Sequence, residues 1–300
     1  MFTVYDTTLR DGTQGEGIGF TATDKLYVAE LLDDFGVGMI EGGWPGSNPK
    51  DARFFKRVRK LNLKHARVAA FGSTCHPKHT PAEDDNIAAL LAAETPIVTV
   101  VGKTWLRHVV NVIRTDAENN LRIIEESMRY LSDAGREVIF DGEHFFDGFL
   151  DDSEYSLRTL EAAVAGGAKS LVLCDTNGGM LPWQVGQVIR TVRDHFPAEI
   201  TVGVHVHNDN GCAIANTLEA VHHGATHVQG TVNGYGERCG NADICAIVAN
   251  LELKMGLQVV PEGNLEKLTE LSRLVSEKAN MPHARNAPFV GRGAFAHKGG

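Results

Sequence analysis

The stretch ITVGVHVHN, residues 200–208, decides how the rest of the chain is interpreted. It is short, rich in β-branched residues and closed by polar side chains, which is typical of a buried strand and its end. Successive side chains of a strand point to opposite faces, so His205 and His207 share one face with both imidazoles within reach of one ion. The stretch therefore predicts a strand that carries a candidate metal site at its end.

Seven further runs of this kind occur along the chain, separated by longer amphipathic stretches. They are FTVYD (from Phe2), VGMIEGG (from Val37), HARVAAFGS (from His65), PIVTVVGK (from Pro96), EVIFDGEHF (from Glu137), SLVLCDT (from Ser170) and THVQGTVNG (from Thr226). In TATDKLYVAELLDDFG, Thr21 or Thr23 can cap a helix and Gly36 can end it. Eight strands that alternate with helices over about 250 residues predict an α/β fold of the (β/α)₈ TIM barrel type, with a doubly wound sheet as the alternative.

The alternation stops at Leu257. The stretch GNLEKLTELSRLVSEKANM predicts a helix, and the tail PHARNAPFVGRGAFAHKGG follows it. A segment of this length is too short to bury a core of its own. We therefore predict a catalytic barrel over residues 1–256 and the start of a helical accessory segment over residues 257–300, which packs on the barrel or on a partner subunit.

Composition excludes several classes of protein. A formal net charge of -9 argues against a nucleic-acid binder, which needs a basic face. The five cysteines form no CxxC pair, which favours free thiols in a reducing compartment. We find neither the apolar core of a signal peptide nor a run of about 20 apolar residues that would cross a membrane. These features predict a cytoplasmic protein.

Chemically capable side chains follow most of the predicted strands. They are Arg10 and Asp11, Glu41, Glu143, Asp175 and Thr176, His205 and His207, and Glu237 and Asn241. In a TIM barrel the carboxyl ends of the strands form the active site, so Asp11 could complete a site of two histidines and one carboxylate. Such ligands suit Mn²⁺ or Mg²⁺, with Zn²⁺ as a third candidate. Structural histidines without a metal are the alternative.

Two loops allow both a plain and a functional interpretation. In TLRDGTQGEG, Arg10 could form an ordinary surface salt bridge, or it could stabilise negative charge on a substrate oxygen while Glu41 holds it in place. The glycines of NGYGERCGNAD do not match GxGxxG. This second loop is either a flexible connection or a mobile flap that carries Glu237 and Asn241 over the site.

Three motifs together resemble the DRE-TIM metallolyase family. DTTLRDGTQ, HVHNDNG and GYGERCGNAD occur in the family's order, and the resemblance covers residues 1–256. They resemble its acyl-CoA-condensing branch, which contains 2-isopropylmalate, homocitrate and citramalate synthases. The stretch IEGGWPGSNPKD, residues 40–51, most resembles the citramalate synthase group, which condenses pyruvate with acetyl-CoA.

The resemblance implies a role for each matching residue. It implies Asp11, His205 and His207 as metal ligands with Asn241 at or near the metal, and Arg10 as the group that polarises the keto oxygen. It further implies that Glu41 orients Arg10, that Thr176 binds the carboxylate of the keto acid, and that Glu143 lies near the thioester. The implied cofactor is a divalent metal, the implied co-substrate is acetyl-CoA, and the implied assembly is a homodimer without nucleic-acid or membrane partners.

The implied reaction is a metal-assisted Claisen condensation that gives citramalate and CoA. One departure from the family concerns the end of the chain: relatives continue past AFAHKGG with a further histidine, which a neighbouring subunit delivers. We therefore expect a truncated chain that folds, binds metal and keto acid, and turns over poorly. His297 is not assigned that catalytic role.

Four other functions compete with this one. A sister synthase would use 2-oxoisovalerate or 2-oxoglutarate, and pocket size would decide between them. A lyase or aldolase on the same barrel would cleave the carbon–carbon bond instead. A non-haem iron oxygenase also uses two histidines and a carboxylate. A metal-binding protein without activity would explain the histidines but not Arg10, Glu41, Glu143 and Thr176.

Overall fold

The computed structural model describes residues 2–299, and eight parallel strands form a closed barrel there. The strands are β1 (Thr3–Asp6), β2 (Met39–Glu41), β3 (Arg67–Ser73), β4 (Ile97–Lys103), β5 (Glu137–Glu143), β6 (Ser170–Asp175), β7 (Thr201–Val206) and β8 (His227–Gly230). They follow sequence order around the barrel, and β1 pairs with β8 through Tyr5 opposite Gln229. Closure confirms the predicted TIM barrel and excludes the doubly wound sheet, whose edges stay open.

Helices follow every strand and surround the barrel. They are α1 (Ala22–Phe35), α2 (Pro49–Val58), α3 (Asp85–Ala92), α4 (Leu106–Asn111), α5 (Ala117–Asp133), α6 (Phe145–Asp151), α7 (Ser153–Ala165), α8 (Pro182–His195), α9 (Ala213–His222), α10 (Ile244–Leu253) and α11 (Leu268–Lys278). Thr21 caps α1 through a capping box with Asp24, and Gly36 ends it with a left-handed φ of 97°. Both ends of α1 therefore lie where the sequence predicts them. Within residues 2–299, no helix combines the length and apolar character that a membrane crossing needs.

The apolar core has two layers. The larger one lies between the barrel and its helices. A smaller cluster inside the barrel consists of Tyr5, Ala69, Ile97, Ile139, Val172 and Cys174, with Met39 packed against them. These inward side chains fill the barrel, so it is a packed body rather than a pore. The polar side chains at the carboxyl ends of the strands stand above this floor.

The segment after residue 256 packs on the outside of the barrel. Helix α11 lies against α1 and buries Leu271 and Val275 in the outer core layer. A Cβ atom at Gly36 would come within 2.1 Å of Pro261, so only glycine permits this close approach. The helix predicted in this segment is present, and it contacts the barrel. The domain boundary at residue 256 stays a prediction.

Candidate active site

Asp11, His205 and His207 meet at the carboxyl end of the barrel. Asp11 lies in the loop after β1, His205 is in β7, and His207 follows that strand directly. Asp11 Oδ2 lies 3.0 Å from His205 Nε2 and 3.8 Å from His207 Nε2, and the two Nε2 atoms are 3.3 Å apart. All three residues are buried. The strand-end positions predicted from the sequence thus bring three potential ligand atoms to one point.

The arrangement of these atoms fits a cation. One ligand atom from each residue lies within 4.8 Å of the others, and no other such group of three His, Cys, Asp or Glu residues occurs in residues 2–299. Neither Asp11 Oδ2 nor Asn241 Oδ1 has a hydrogen-bond partner within the described part of the chain, although both are buried. Buried polar atoms without partners are rare and call for an explanation. A divalent ion coordinated by these oxygens and nitrogens provides one.

The pKa values of Asp11 and His207 suit metal binding. Burial opposes ionisation of Asp11, but Arg10 and the two histidines outweigh it and hold the pKa of the carboxyl well below its usual range. Burial, together with the neighbouring His205, lowers the pKa of His207 to about 4. Burial also acts against protonation of His205, yet the neighbouring Asp11 carboxylate raises the pKa of that imidazole. Asp11 is therefore ionised and His207 neutral near pH 7, which are the states that bind a cation.

Arg10 is held on three sides beside this group. Its Nε donates to Glu41 Oε2 at 2.5 Å, and its Nη1 lies 3.2 Å from Asp11 Oδ1. The guanidinium also stacks on Phe71, with Cζ 3.8 Å from the ring centroid. The second oxygen of Glu41 accepts a hydrogen bond from the Tyr5 hydroxyl at 2.8 Å. Arg10 is thus a fixed positive charge, and its contact with Glu41 is the one expected from the sequence.

Glu143 and Thr176 line the same cavity. Glu143 ends β5 and forms an ion pair with Lys103 at the end of β4. The Thr176 hydroxyl accepts a hydrogen bond from the His144 backbone N–H at 2.9 Å, so its own proton remains available to a ligand. The cavity has a volume of about 620 Å³ and reaches from the Asp11 group to Ile113. Both residues can therefore contact a substrate there, and their specific roles stay predictions.

Asn241 comes from the loop after β8. It forms an isolated β-bridge with His207, and its amide donates to the Tyr235 carbonyl at 3.0 Å. The loop turns tightly: a Cβ atom at Gly240 would lie 2.0 Å from the Gly234 carbonyl oxygen, and both glycines have positive φ. The glycines are thus required for close packing of this loop. Its predicted mobility as a flap, and Asn241 as a ligand, stay predictions.

Sequence reasoning missed several polar residues inside the barrel. Asp141 in β5 and Gln229 in β8 are buried, and they contact each other at 3.1 Å. Burial, followed by the charge of Glu41, raises the pKa of Asp141 to about 7. Tyr5 hydrogen-bonds Thr99 as well as Glu41. One sequence signal could have identified these residues: each is a polar residue within an otherwise apolar strand. Such a residue needs a buried hydrogen-bond partner.

The chain is similar to known proteins over most of its length. The HMGL-like family model matches residues 1–275. Five relatives named (R)-citramalate synthase are 46–52% identical, and the one from Aquifex aeolicus is 52% identical over 99% of this chain. A homocitrate synthase of Methanopyrus kandleri is 35% identical and covers 99% of this chain and 71% of its own. The HMG-CoA lyase of Bacillus subtilis superposes with a TM-score of 0.80 at 25% identity, covering 95% of this chain and 96% of its own.

The match to the synthases is partial in one respect. The chain spans between 55% and 58% of the length of those five citramalate synthases. The family assignment does not depend on the unmatched part of those relatives, because the family model covers most of this chain. The motifs that resemble the DRE-TIM metallolyases are also the ones that place Arg10, Asp11, His205 and His207 together. The chain belongs to the HMGL-like family, the family of the DRE-TIM metallolyases.

Proposed function

We propose that this protein acts as an (R)-citramalate synthase, which condenses acetyl-CoA with pyruvate to give citramalate and CoA. The observation that carries the proposal is the buried group of Asp11, His205 and His207 with Arg10 fixed beside it, in the wall of a cavity of about 620 Å³. The names of the five most similar relatives reported above support the choice of substrates.

The proposed cofactor is a divalent metal, Mn²⁺ or Mg²⁺, with Zn²⁺ as a third candidate. Asp11, His205 and His207 would hold it, with Asn241 as a further ligand. When bound, such an ion supplies Lewis acidity toward the keto oxygen of the substrate. Carboxylate, imidazole and amide donors are compatible with all three ions.

Arg10 would stabilise charge on the same oxygen. The bond that forms joins the acetyl methyl carbon, after it loses a proton to a base, to the ketone carbon of pyruvate. The electron pair of the carbonyl bond then moves onto the keto oxygen, and a positive group already in place lowers the energy of that state. The oxygen then takes up a proton and becomes the hydroxyl group of the product. Glu41 holds the guanidinium by the hydrogen bond to Nε, so little reorganisation is needed.

Thr176 and Glu143 would bind the remaining parts of the substrates. The free hydroxyl proton of Thr176 suits the carboxylate of the keto acid. Glu143, which lines the same cavity, would act near the thioester. Water then hydrolyses the citramalyl thioester, which gives a carboxylate and the free thiol of CoA. The hydrolysis makes the overall reaction effectively irreversible.

The assembly and location belong to the same proposal. We propose a homodimer in the cytoplasm that binds neither nucleic acid nor membrane. The net charge of -9 supports the absence of a nucleic-acid partner. The five cysteines are unpaired, which is usual in a reducing compartment. We also propose that residues 1–256 form the catalytic barrel and that residues 257–300 form an accessory segment.

The deciding experiment supplies acetyl-CoA and Mn²⁺ with one 2-oxo acid at a time and follows release of the free thiol. We expect release with pyruvate and none with 2-oxoisovalerate or 2-oxoglutarate. Citramalate is also quantified in a single turnover at high enzyme concentration. D11N is the matched control, since it keeps the shape of the side chain and removes its charge.

Other outcomes would replace the proposal. Thiol release with 2-oxoisovalerate or 2-oxoglutarate alone would assign a sister synthase. Cleavage of a hydroxyacyl-CoA without any condensation would assign a lyase. Turnover that requires oxygen and iron would assign an oxygenase, and tight metal binding without any reaction would assign a binding protein.

A further inference from the structure

A buried chain of hydrogen bonds connects three strands beneath the Asp11 group. Gln229 in β8 lies between Asp141 in β5 and His205 in β7. Gln229 Nε2 donates to Asp141 Oδ1 at 3.1 Å, and Gln229 Oε1 lies 2.9 Å from His205 Nδ1. Gln229 is fully buried, and the other two side chains are almost so. Neither Gln229 nor Asp141 has a role in the proposed mechanism.

The contact with Asp141 determines how the Gln229 amide is oriented. An ionised Asp141 can only accept a hydrogen bond, and the Gln229 amide nitrogen donates to its Oδ1. The amide nitrogen of Gln229 therefore faces Asp141, and its carbonyl oxygen faces His205. Because a carbonyl oxygen is only an acceptor, the His205 ring must donate through its Nδ1–H. A neutral imidazole with a proton on Nδ1 presents a lone pair at Nε2.

That lone pair points at the candidate metal position. His205 Nε2 is the atom that lies 3.0 Å from Asp11 Oδ2 and 3.3 Å from His207 Nε2. His207 differs, because its Nδ1 has no hydrogen-bond partner in residues 2–299. The two histidines are thus held unequally, and only His205 has an internal group that selects its tautomer.

We propose that Gln229, anchored by Asp141, is a positioning residue that fixes the ring and tautomer of His205 so that Nε2 binds the metal. The inference rests on the metal site of the proposed function. Histidine ligands generally donate their second N–H to an acceptor, and loss of that acceptor weakens metal binding about 10- to 100-fold. Here a glutamine supplies the acceptor, and a carboxyl group on another strand keeps the amide from flipping.

The test compares Q229M with Q229E. Both variants have nearly the size of glutamine, but methionine cannot accept the Nδ1–H, whereas glutamate can. Mn²⁺ affinity is measured from the electron paramagnetic resonance signal of the free ion. We expect Q229M to bind Mn²⁺ about 10- to 100-fold more weakly than the wild type. Q229E should bind it with nearly the wild-type affinity.

A purely structural role for Gln229 predicts a different pattern. It would lower the melting temperature of both variants and leave the affinity of the folded protein unchanged. Equal Mn²⁺ affinity of Q229M and wild type, or an equal loss in Q229M and Q229E, would therefore overturn the inference. Failure of the wild type to bind Mn²⁺ would instead overturn the proposed metal site, and the inference with it.

A second measurement applies even if Q229M does not fold. In wild-type protein loaded with Zn²⁺, ¹⁵N chemical shifts of the His205 ring report which nitrogen carries the proton. We expect the proton on Nδ1 and the metal on Nε2. Coordination through Nδ1 would overturn the inference directly.

Discussion

Arg10 is surrounded by groups that keep it charged and hold it in one orientation. Burial alone would disfavour the charged form of the guanidinium and lower its pKa. The charges of Glu41 and Asp11 more than offset this effect and raise the pKa above its usual value. Arg10 therefore cannot act as a proton donor. Its three contacts fix its plane, so the residue is suited to stabilising a developing negative charge.

The first prediction concerns replacement of this guanidinium by an ammonium. R10K keeps the charge but loses the planar group that contacts Glu41 and stacks on Phe71. We expect kcat for thiol release from acetyl-CoA and pyruvate to fall by about 10²- to 10³-fold, the usual loss for one such donor. R57K, at an exposed arginine on α2, should keep the wild-type rate. A wild-type rate in R10K would contradict the proposed role.

His227 is a buried histidine that makes stability depend on pH. It lies inside the barrel in β8, with its ring 5.3 Å from that of Tyr5. Burial, with a smaller contribution from His205, lowers its pKa to about 3. The unfolded chain binds a proton at this residue near pH 6.5 and the folded chain does not. The contribution of His227 to stability must therefore fall as pH drops from about 6.5 toward 3.

The second prediction is that H227L removes this pH dependence. The free energy of unfolding of the wild type, minus that of H227L, should decrease on acidification by up to about 1.4 kcal/mol per pH unit below pH 6. Urea unfolding at pH 7, 6 and 5 measures it. H222L, at an exposed histidine on α9, is the surface control. A difference between wild type and H227L that is the same at all three pH values would contradict the buried neutral state.

The separate residues of the site were predictable to different degrees. His205 and His207 were predictable because a strand alternates its side chains, and the position of Asp11 followed from the barrel. Gln229 was not, since its partners lie 88 and 24 residues away in the chain and no local pattern connects them. Contacts between side chains of different strands depend on register, which one sequence does not reveal.

At the scale of elements, the strands were easier to predict than their connections. All eight β-branched runs are strands, and the capped and glycine-ended helix α1 has its predicted bounds. The short helices α4 and α6 carry no comparable capping signal: the residue before α6 is His144, in a left-handed conformation. The loop after β8 was difficult for the same reason, because its shape is set by packing against His207 rather than by local propensity.

The third prediction tests that loop with two matched alanine substitutions. Gly240 and Gly256 have φ of 87° and 69°, but only at Gly240 would a Cβ atom collide, at 2.0 Å from a backbone oxygen. G256A should cost about 1–2 kcal/mol from the left-handed conformation alone. G240A should cost more and should also weaken Mn²⁺ binding, since the Gly240 carbonyl accepts from Asn208 beside His207.

The measurements are urea unfolding and a Mn²⁺ titration of both variants. G256A acts as the control, because it has the same backbone requirement at a position with no heavy atom within 4 Å of the added Cβ. Equal stability and equal Mn²⁺ affinity in the two variants would mean that the tight turn does not support the site.

At the scale of the whole molecule, the site connects distant parts of the chain. Asp11 follows the first strand and His205 lies in the seventh, with β8 between them in the closed barrel. The sequence predicted this architecture from eight repeated strand and helix signals, which together are stronger than any single one. It left open whether the segment after residue 256 contacts this barrel or a partner, because both need an apolar helix face. Helix α11 buries Val275 against the barrel of its own chain.

The last prediction follows from this connection. An ion bound by Asp11, His205 and His207 links β1 to β7. Its binding site exists only in the folded barrel, so the binding energy adds to the free energy of unfolding. Mn²⁺ at 100 times its dissociation constant should raise the free energy of unfolding by about 2.7 kcal/mol and increase the melting temperature. Calorimetry with and without Mn²⁺ measures this change. The increase should disappear in D11N, which removes one charged ligand but keeps the side-chain volume.

H76N provides the matched control for that experiment. His76 lines the same cavity but is not one of the three grouped residues, so its loss should leave the Mn²⁺-dependent increase in place. Equal increases in wild type and D11N would show that Mn²⁺ binds elsewhere on the protein. Loss of the increase in H76N as well would mean that the ion occupies the outer cavity, and the three residues at the barrel end would then not be its ligands.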